Sequence, residues 1–313
     1  MQAPSMAGAA SSAPAAPIPV SAAPRRPKAT SRSVLPIASL VGPATIYVSL
    51  LLIIPLAFLF RYSLNAFVPG KFMVEALTLE NYVKFFTDPY YLAALLRTMR
   101  VAAICTLICL VAGAPLAYVL ARTRSRWKNL LVILVILPLF VGNAVRAAGW
   151  MVAFGAKGFM NGSLLELGLI TRPIEIMFSE TAVIIGVTAV NLPFLVLTLA
   201  SVIEGVDRSV EEAAFNLGAS PSQMVWRVLM PLAMPGVIAG CILTFILGMN
   251  AYATPVLLGG PTFQMMAPLV FRGFVEQNNW PFGGAIAFIL MVATLVLTGA
   301  ANMLVQQRYR TRS

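Results

Sequence analysis

Residues 181–203 read TAVIIGVTAVNLPFLVLTLASVI, and no charged side chain interrupts this run. An α-helix of this length extends roughly 35 Å, which is enough to cross the hydrocarbon core of a bilayer. The apolar residues form one block and do not recur at the spacing of an amphipathic helix. The stretch therefore predicts a transmembrane helix.

Five further segments have the same character. The chain of 313 residues is 59% hydrophobic and only 11% charged, which is too little charge to cover a soluble protein of that length. The six predicted spans are residues 35–60, 97–121, 129–154, 181–203, 231–258 and 284–305. We therefore predict an all-α, polytopic membrane protein with six transmembrane helices.

Arginines and lysines indicate how these spans are oriented. The net charge is +11, but the basic residues gather at the edges of the apolar blocks and not along one helix face. This distribution is typical of the positive-inside rule and does not indicate nucleic-acid binding. The basic loop 122–128 should lie in the cytoplasm, and with six spans both termini then lie there as well (N-in/C-in).

The sequence divides into four predicted regions. Residues 1–33 are rich in Ala, Pro and Ser and have no apolar run, so we expect a disordered cytoplasmic tail. Residues 34–91 hold the first transmembrane helix and a periplasmic segment. Residues 92–306 form a five-helix core with a cytoplasmic loop at 205–230, and residues 307–313 form a basic cytoplasmic tail.

Side chains that carry catalysis or bind metals are scarce. The chain has no histidine, its three cysteines lie inside apolar runs without a CxxC pair, and no GxxxxGK[ST] nucleotide motif occurs. A zinc site of the usual ligands and a histidine-based catalytic triad are therefore excluded. We predict a non-enzymatic chain with no catalytic residue, no metal and no cofactor of its own.

The polar interruption from Gly205 to Pro231 begins with the signals of a short capped helix. Ser209 and Glu212 have the spacing of a capping box, which predicts a helix start. Gly218 can adopt a positive φ and is expected to end that helix at an elbow.

A second capped helix is predicted directly after this elbow. Ser220 is followed by Pro221 at the first helical position, and Gln223 has the spacing that closes a second capping box. We expect Pro231 and Pro235 to stop this helix and to begin the next span. A loop with so many caps is predicted to present a rigid surface to a partner.

The spacing within this segment resembles the EAA signature of ABC importer permeases. Glu212-Ala213-Ala214 is followed after three residues by Gly218, and after nine more by Val228-Leu229-Met230-Pro231. The family's signature ends Ile-x-Leu-Pro, so this chain departs at two positions, both of which stay apolar. The resemblance covers about residues 90–305 and implies the type I ABC importer permease fold and a multi-pass location in the bacterial inner membrane.

In that family, this loop is the coupling helix, which binds in a groove of the ATP-binding subunit. The coupling residues implied here are Glu211, Glu212, Ala213, Ala214, Gly218, Ala219, Val228 and Pro231. Small alanines permit close approach, and Glu211 or Glu212 can pair with a basic residue of the partner, although Glu212 can also act only as a helix cap. The implied partners are an ATPase dimer that binds ATP and Mg, a second permease subunit (homologous or identical) and a periplasmic solute-binding protein.

Other stretches resemble the spermidine/putrescine branch of the family. They are Gly149-Trp150, Gly158-Phe-Met-Asn161, Leu192-Pro-Phe-Leu195 and Trp280-Pro-Phe-Gly-Gly284. The resemblance implies a small amine-bearing solute, with a polyamine first and aminoethylphosphonate, opines or amino acids as alternatives.

Polar residues within the spans are the candidates for a substrate path. Asn191, Asn250 and Tyr252 are predicted to line it, but each asparagine could equally hydrogen-bond two helices together. Arg146 could reach water or face a polar cavity. The main alternative class, an ion-coupled secondary transporter, often has a mid-span acid or inverted repeats, and neither is found in the sequence.

Overall fold

The computed structural model describes residues 34–71 and 73–310, with side chains for 41–71 and 73–303. The predicted tail 1–33 lies outside the described residues, as do residues 311–313. Within the described residues every regular element is a helix, apart from one isolated bridge between Ala66 and Val74. The predicted all-α class is therefore confirmed.

Thirteen α-helices follow one another in the described part of the chain. They are α1 (Val34–Ser63), α2 (Glu80–Thr87), α3 (Pro89–Arg122), α4 (Lys128–Ile136), α5 (Asn143–Phe154), α6 (Phe159–Glu166), α7 (Glu180–Glu204), α8 (Arg208–Asn216), α9 (Pro221–Met224), α10 (Met230–Met249), α11 (Ala253–Leu258), α12 (Met266–Phe271) and α13 (Trp280–Arg310). A 3₁₀ turn covers Leu137–Phe140, and π turns cover Val225–Leu229 and Arg272–Glu276.

Five helical segments of the described chain are long and apolar enough to cross a membrane, and the number rises to six if a bent helix pair forms one span. The five are Val41–Ser63, Pro89–Arg122, Glu180–Glu204, Pro221–Met249 and Trp280–Met303. This agrees with the predicted polytopic arrangement. The N-in/C-in orientation and the boundaries of the four predicted regions stay predictions.

The chain divides into two compact units between Ile53 and Ile54, inside α1. In the first unit, apolar side chains such as Ile46, Tyr47 and Val48 are exposed, as expected of a helix surrounded by lipid. The second unit contains the rest of the helices and every site described below.

Helices α3, α7 and α10 form the centre of the second unit. Leu195, Leu199 and Ile203 of α7 are buried together with apolar residues of α3 and α10. Close approach depends on a small residue: a Cβ at Gly248 would lie 3.1 Å from the Cα of Ala102. Without a hydrophobic effect between helices in lipid, such close contacts supply much of their association.

Helix α3 starts eight residues before the predicted span start at Arg97. Asp88 accepts a hydrogen bond from the backbone N–H of Tyr90 and caps the helix, with Pro89 at its first position. An aspartate cap followed by proline is a favourable helix start, so α3 extends over 34 residues.

The predicted third span, 129–154, is wrong as a single helix. Residues Lys128–Phe140 and Asn143–Glu166 are bent by 96°. Pro138 supplies no N–H, and Gly142 follows where the chain turns. The guanidinium of Arg146 donates to the carbonyl oxygens of Pro138 and Val141 at the break. The Pro138 carbonyl also accepts the Val141 backbone N–H, at 3.3 Å, in the 3₁₀ turn.

The predicted fifth span, 231–258, also differs from the structure. It begins earlier, because α9 runs into α10, and it ends at Met249. The Asn250 side chain donates to the carbonyl oxygen of Ile246 at 2.9 Å, a local bond that competes with helix continuation. The short helix α11 follows as a separate element packed against α5 and α7.

Candidate functional site

Helix α8 is built by a different cap from the predicted one. Asp207, two residues before Ser209, accepts the Ser209 backbone N–H at 2.9 Å, and this hydrogen bond lowers the pKa of the Asp207 carboxyl. The predicted capping box of Ser209 with Glu212 is therefore wrong. An aspartate caps a helix at least as well as a serine. Because Asp207 precedes Ser209 in the chain, the helix begins at Arg208 and Ser209 is already helical.

The predicted glycine elbow is confirmed. Gly218 has φ of +83° and ends α8. The Gly218 N–H donates to the carbonyl of Phe215, and the Ala219 N–H donates to that of Ala214. These two bonds form a Schellman motif, which requires a left-handed residue where glycine is found.

The second capping box is also confirmed, but the helix that it starts is not short. Ser220 and Gln223 exchange hydrogen bonds with each other's backbone, with Pro221 at the first helical position. The helix then passes through a π turn into α10, with the Met230 N–H donating to the Val225 carbonyl. The expected stop at Pro231 is wrong because the wider π turn accommodates a proline that lacks an N–H.

Apolar and carboxylate groups are exposed on α8 and the elbow. Glu212, Ala213 and Gly218 are exposed, and the Leu217 side chain is 89% exposed. Of the other predicted coupling residues, Pro231 is exposed, Ala219 and Val228 are half-buried, and Ala214 is buried. The exposed residues of this segment form a small knob on which Leu217 is the most exposed side chain, and we call it the coupling knob after its predicted role (residues 212–218 except the buried Ala214).

Glu211 faces α3 and is buried, unlike the neighbouring Glu212. Its Oε1 accepts a hydrogen bond from Nε of Arg122 at 2.7 Å, and both side chains are only 10% exposed. Tyr118 donates its hydroxyl to Glu211 Oε2 at 3.3 Å. Glu211 is thus paired within the chain, whereas Glu212 is the carboxylate that faces outward.

The predicted substrate-path residues meet at one cavity of about 560 Å³. Its lining includes the three predicted residues Asn191, Asn250 and Tyr252, together with Asn143, Arg146 and Thr254. Among the described residues that line it, none is acidic.

The two asparagines play different parts at this cavity. Asn191 is 2% exposed, and its side-chain amide donates to the carbonyl of Thr244 at 3.3 Å, which joins α7 to α10. Asn250 is exposed at the helix break. The ring of Tyr252 lies 5.0 Å from that of Phe271, in a neighbouring cavity of about 370 Å³ that Tyr252 also lines.

Two glutamates at the end of the bundle opposite α8 form ion pairs with arginines. Glu180 pairs with Arg100, and Glu276 accepts from Arg272 at 3.1 Å. In the part of the chain that the structure describes, no group of three His, Cys, Asp or Glu could hold a metal ion.

These helices define the fold of an importer permease. The crystal structure of a bacterial alginate ABC transporter, in complex with an alginate pentasaccharide-bound periplasmic protein, contains a similar chain with a TM-score of 0.73. The similarity covers 88% of this chain and 95% of that one at 16% identity, so it establishes the fold.

Sequence comparison establishes the family. Residues 110–310 match the family described as binding-protein-dependent transport system inner membrane component, and the chain belongs to it. The spermidine/putrescine transport system permease protein PotB of Escherichia coli (strain K12) is 38% identical over 82% of this chain and 91% of its own. Its counterpart PotB in Haemophilus influenzae (strain Rd) is 35% identical over 82% of this chain and 89% of its own.

The chain is therefore a multi-pass inner-membrane protein and the permease subunit of a binding-protein-dependent ABC importer. The alternative class, an ion-coupled secondary transporter, does not apply.

Proposed function

We propose that this permease carries polyamines, with spermidine and putrescine as the first candidates, and that it does so by alternating access. The similarity to PotB over 82% of the chain is the observation that carries the cargo assignment. The alternatives are aminoethylphosphonate, an opine or an amino acid.

The chemistry of the cavity fits weak, transient binding of an amine. Tyr252 is partly exposed beside Phe271, and aromatic faces attract ammonium groups by cation–π interaction. None of the described residues that line the larger cavity is acidic, and Arg146 adds a positive charge there, so a polycation has no ionic partner in that cavity. Glu276 is the acidic residue that lines the neighbouring cavity of Tyr252 and Phe271, where it accepts a hydrogen bond from Arg272. Weak sites suit a translocation path, because the solute must leave as readily as it arrives. Selectivity then resides mainly in the binding protein.

The coupling knob is proposed to bind the ATPase subunit. Leu217 and the outward-facing Glu212 give it an apolar tip with an anionic edge, which fits a groove lined by apolar and basic residues. ATP and Mg are bound by that ATPase dimer, since this sequence has no nucleotide motif. Closure of the dimer moves the knob, and the helices connected to it switch the cavity between the two sides of the membrane. A second permease subunit completes the pathway, and the binding protein delivers the solute from the periplasm.

Reconstitution of the full importer tests the cargo directly. Proteoliposomes that contain both permeases and the ATPase are supplied with internal ATP and external binding protein, and uptake of labelled spermidine is measured. We expect ATP-dependent uptake that unlabelled putrescine reduces and that aminoethylphosphonate or an amino acid does not. Uptake of one of those solutes in place of spermidine would reassign the cargo, and uptake without ATP would overturn the mechanism.

A further inference from the structure

The cytoplasmic end of α3 and the start of α8 are joined by a buried ion pair. Arg122 is in the last turn of α3, and Glu211 is in the first turn of α8. The Nε–Oε1 distance is 2.7 Å and the Nη2–Oε1 distance is 2.5 Å, with each side chain 10% exposed. A cation at a helix C-terminus and an anion at a helix N-terminus are each stabilised by the helix dipole.

The two helix ends are joined by a second hydrogen bond, and in this one the donor belongs to α8 and the acceptor to α3. Arg208, the first residue of α8, donates from Nη2 to the backbone carbonyl of Arg122 at 2.8 Å. That carbonyl belongs to the last turn of α3, which has no helical partner of its own. Tyr118, one turn earlier in α3, donates to the free carboxylate oxygen of Glu211. Contacts from both sides fix the orientation of α8 as well as its position.

The other ion pairs in the described residues are far more exposed. Lys128 and Glu204, which join α4 to α7 at the same end of the bundle, are 35% and 45% exposed. Exposed pairs of this kind contribute little, whereas removal of one partner from a buried pair leaves an uncompensated charge. The pair of Arg122 with Glu211 is therefore the one whose loss should have consequences.

We propose that Arg122 and Glu211 are positioning residues that make α8 and α3 move as one body. The proposal rests on the proposed role of the coupling knob. Movement of the knob would then pass directly into α3, in addition to the covalent route through α9 and α10. We call the pair, with Tyr118 and Arg208, the α3–α8 anchor.

Helix α3 leads from this anchor to the neighbourhood of the cavity. From Arg122 back to Ala102 the helix extends roughly 30 Å, and Pro115 lies within this stretch without ending the helix. Ala102 is in close contact with Gly248, two residues before the cavity residue Asn250. A displacement of the end of α3 therefore reaches the segment where the cavity opens.

Uptake per ATP hydrolysed, measured on the assembled importer, tests the anchor. In Glu211→Gln we expect this ratio to fall by about tenfold, because α8 can turn without moving α3. The charge-reversed double variant Arg122→Glu with Glu211→Arg should recover part of the ratio, because it restores the attraction between the two side chains but sets both charges against the helix dipoles. Glu204→Gln is the matched control, since it removes an exposed ion pair from the same end of the bundle, and it should leave the ratio unchanged.

A wild-type ratio in an assembled Glu211→Gln importer would overturn the proposal, as would an equal fall in Glu204→Gln. If Glu211→Gln does not assemble, Arg122→Lys decides by the same criteria, since it keeps the charge but loses the planar contact of the guanidinium.

Leu217→Asp, on the coupling knob, distinguishes a failure of the α3–α8 anchor from a failure of the coupling role of the knob. If Leu217→Asp lowers the ratio and the anchor variants do not, only the anchor fails. If Leu217→Asp also has no effect, the coupling role of the knob fails.

Discussion

Pro138 and Pro231 each interrupt an apolar stretch, but the chain responds to them in opposite ways. At Pro231 a π turn lets the helix continue from Pro221 to Met249. At Pro138 the helix narrows to a 3₁₀ turn and the chain bends by 96°. The difference shows that a proline alone does not end a helix. The outcome depends on how the freed backbone groups find partners, within the helix at Pro231 and through Arg146 at Pro138.

The two outcomes fit the role that we propose for each region. The helix from Pro221 to Met249 connects the coupling knob covalently to the membrane-spanning α10, so the proposed movement of the knob would reach α10 without crossing a break. The broken helix places Asn143 and Arg146 at the wall of the cavity. Irregular backbone within a membrane is tolerated where it lines such a cavity.

Removal of the arginine at the break should have the largest effect on stability. Arg146→Met removes two charged hydrogen bonds, to the carbonyls of Pro138 and Val141, and we expect a loss of about 3 kcal/mol in the free energy of unfolding. Arg172→Met, which removes an exposed arginine, should change it little. Thermal unfolding of the detergent-solubilised importer measures both, and equal midpoints for the two variants would contradict the role of Arg146.

Substitution of the elbow glycine should have the next largest effect. A β-branched residue at a φ of +83° is strained by about 2 kcal/mol, so Gly218→Val should distort the coupling knob and stop uptake while membrane insertion persists. No atom lies within 4 Å of a Cβ built there, so crowding is not the cause. Gly218→Asn is the control, because asparagine tolerates this backbone conformation, and it should retain most of the uptake. Wild-type uptake by an assembled Gly218→Val importer would contradict this prediction.

Substitutions of the two cavity asparagines should have the smallest effects on stability, and the two variants should differ in the property that changes. Asn191→Leu removes the bond between α7 and α10 and should cost about 1 kcal/mol of stability. Asn250→Leu should leave stability nearly unchanged but alter the concentration of loaded binding protein that gives half-maximal uptake. Unfolding midpoints and uptake curves measure the two properties. An Asn191→Leu variant with altered uptake and normal stability would reverse the assignment.

Local rules predicted the features that depend on neighbouring residues. The apolar runs gave the helical membrane class, and the elbow at Gly218 and the capping box at Ser220 followed from their own sequence. Contacts between residues that are distant in the sequence could not be predicted from such local patterns. Glu211 finds its partner 89 residues earlier in the chain, so its inward orientation was not visible beside Glu212.

The different responses of the chain at Pro138 and Pro231 depend on contacts several residues away, which local patterns do not reveal. Arg146 lies eight residues after the proline whose carbonyl it binds, and its position near a span end had two interpretations. The π turn before Pro231 depends on a single extra residue in the helical register, which apolar periodicity does not reveal. The sequence does not single out Asp207 as the cap, because Ser209 with Glu212 has the spacing of a complete capping box.

Site-specific photo-crosslinking in the assembled importer tests the central claim, that the segment from Gly205 to Pro231 is where the ATPase drives this permease. A photoreactive amino acid is placed at Leu217, 89% exposed on the coupling knob, and separately at Phe159, 82% exposed on α6. We expect position 217 to form a crosslink with the ATPase subunit and position 159 to form none with it. A crosslink from position 159 to the ATPase, or none from position 217 in an importer that hydrolyses ATP, would contradict the account.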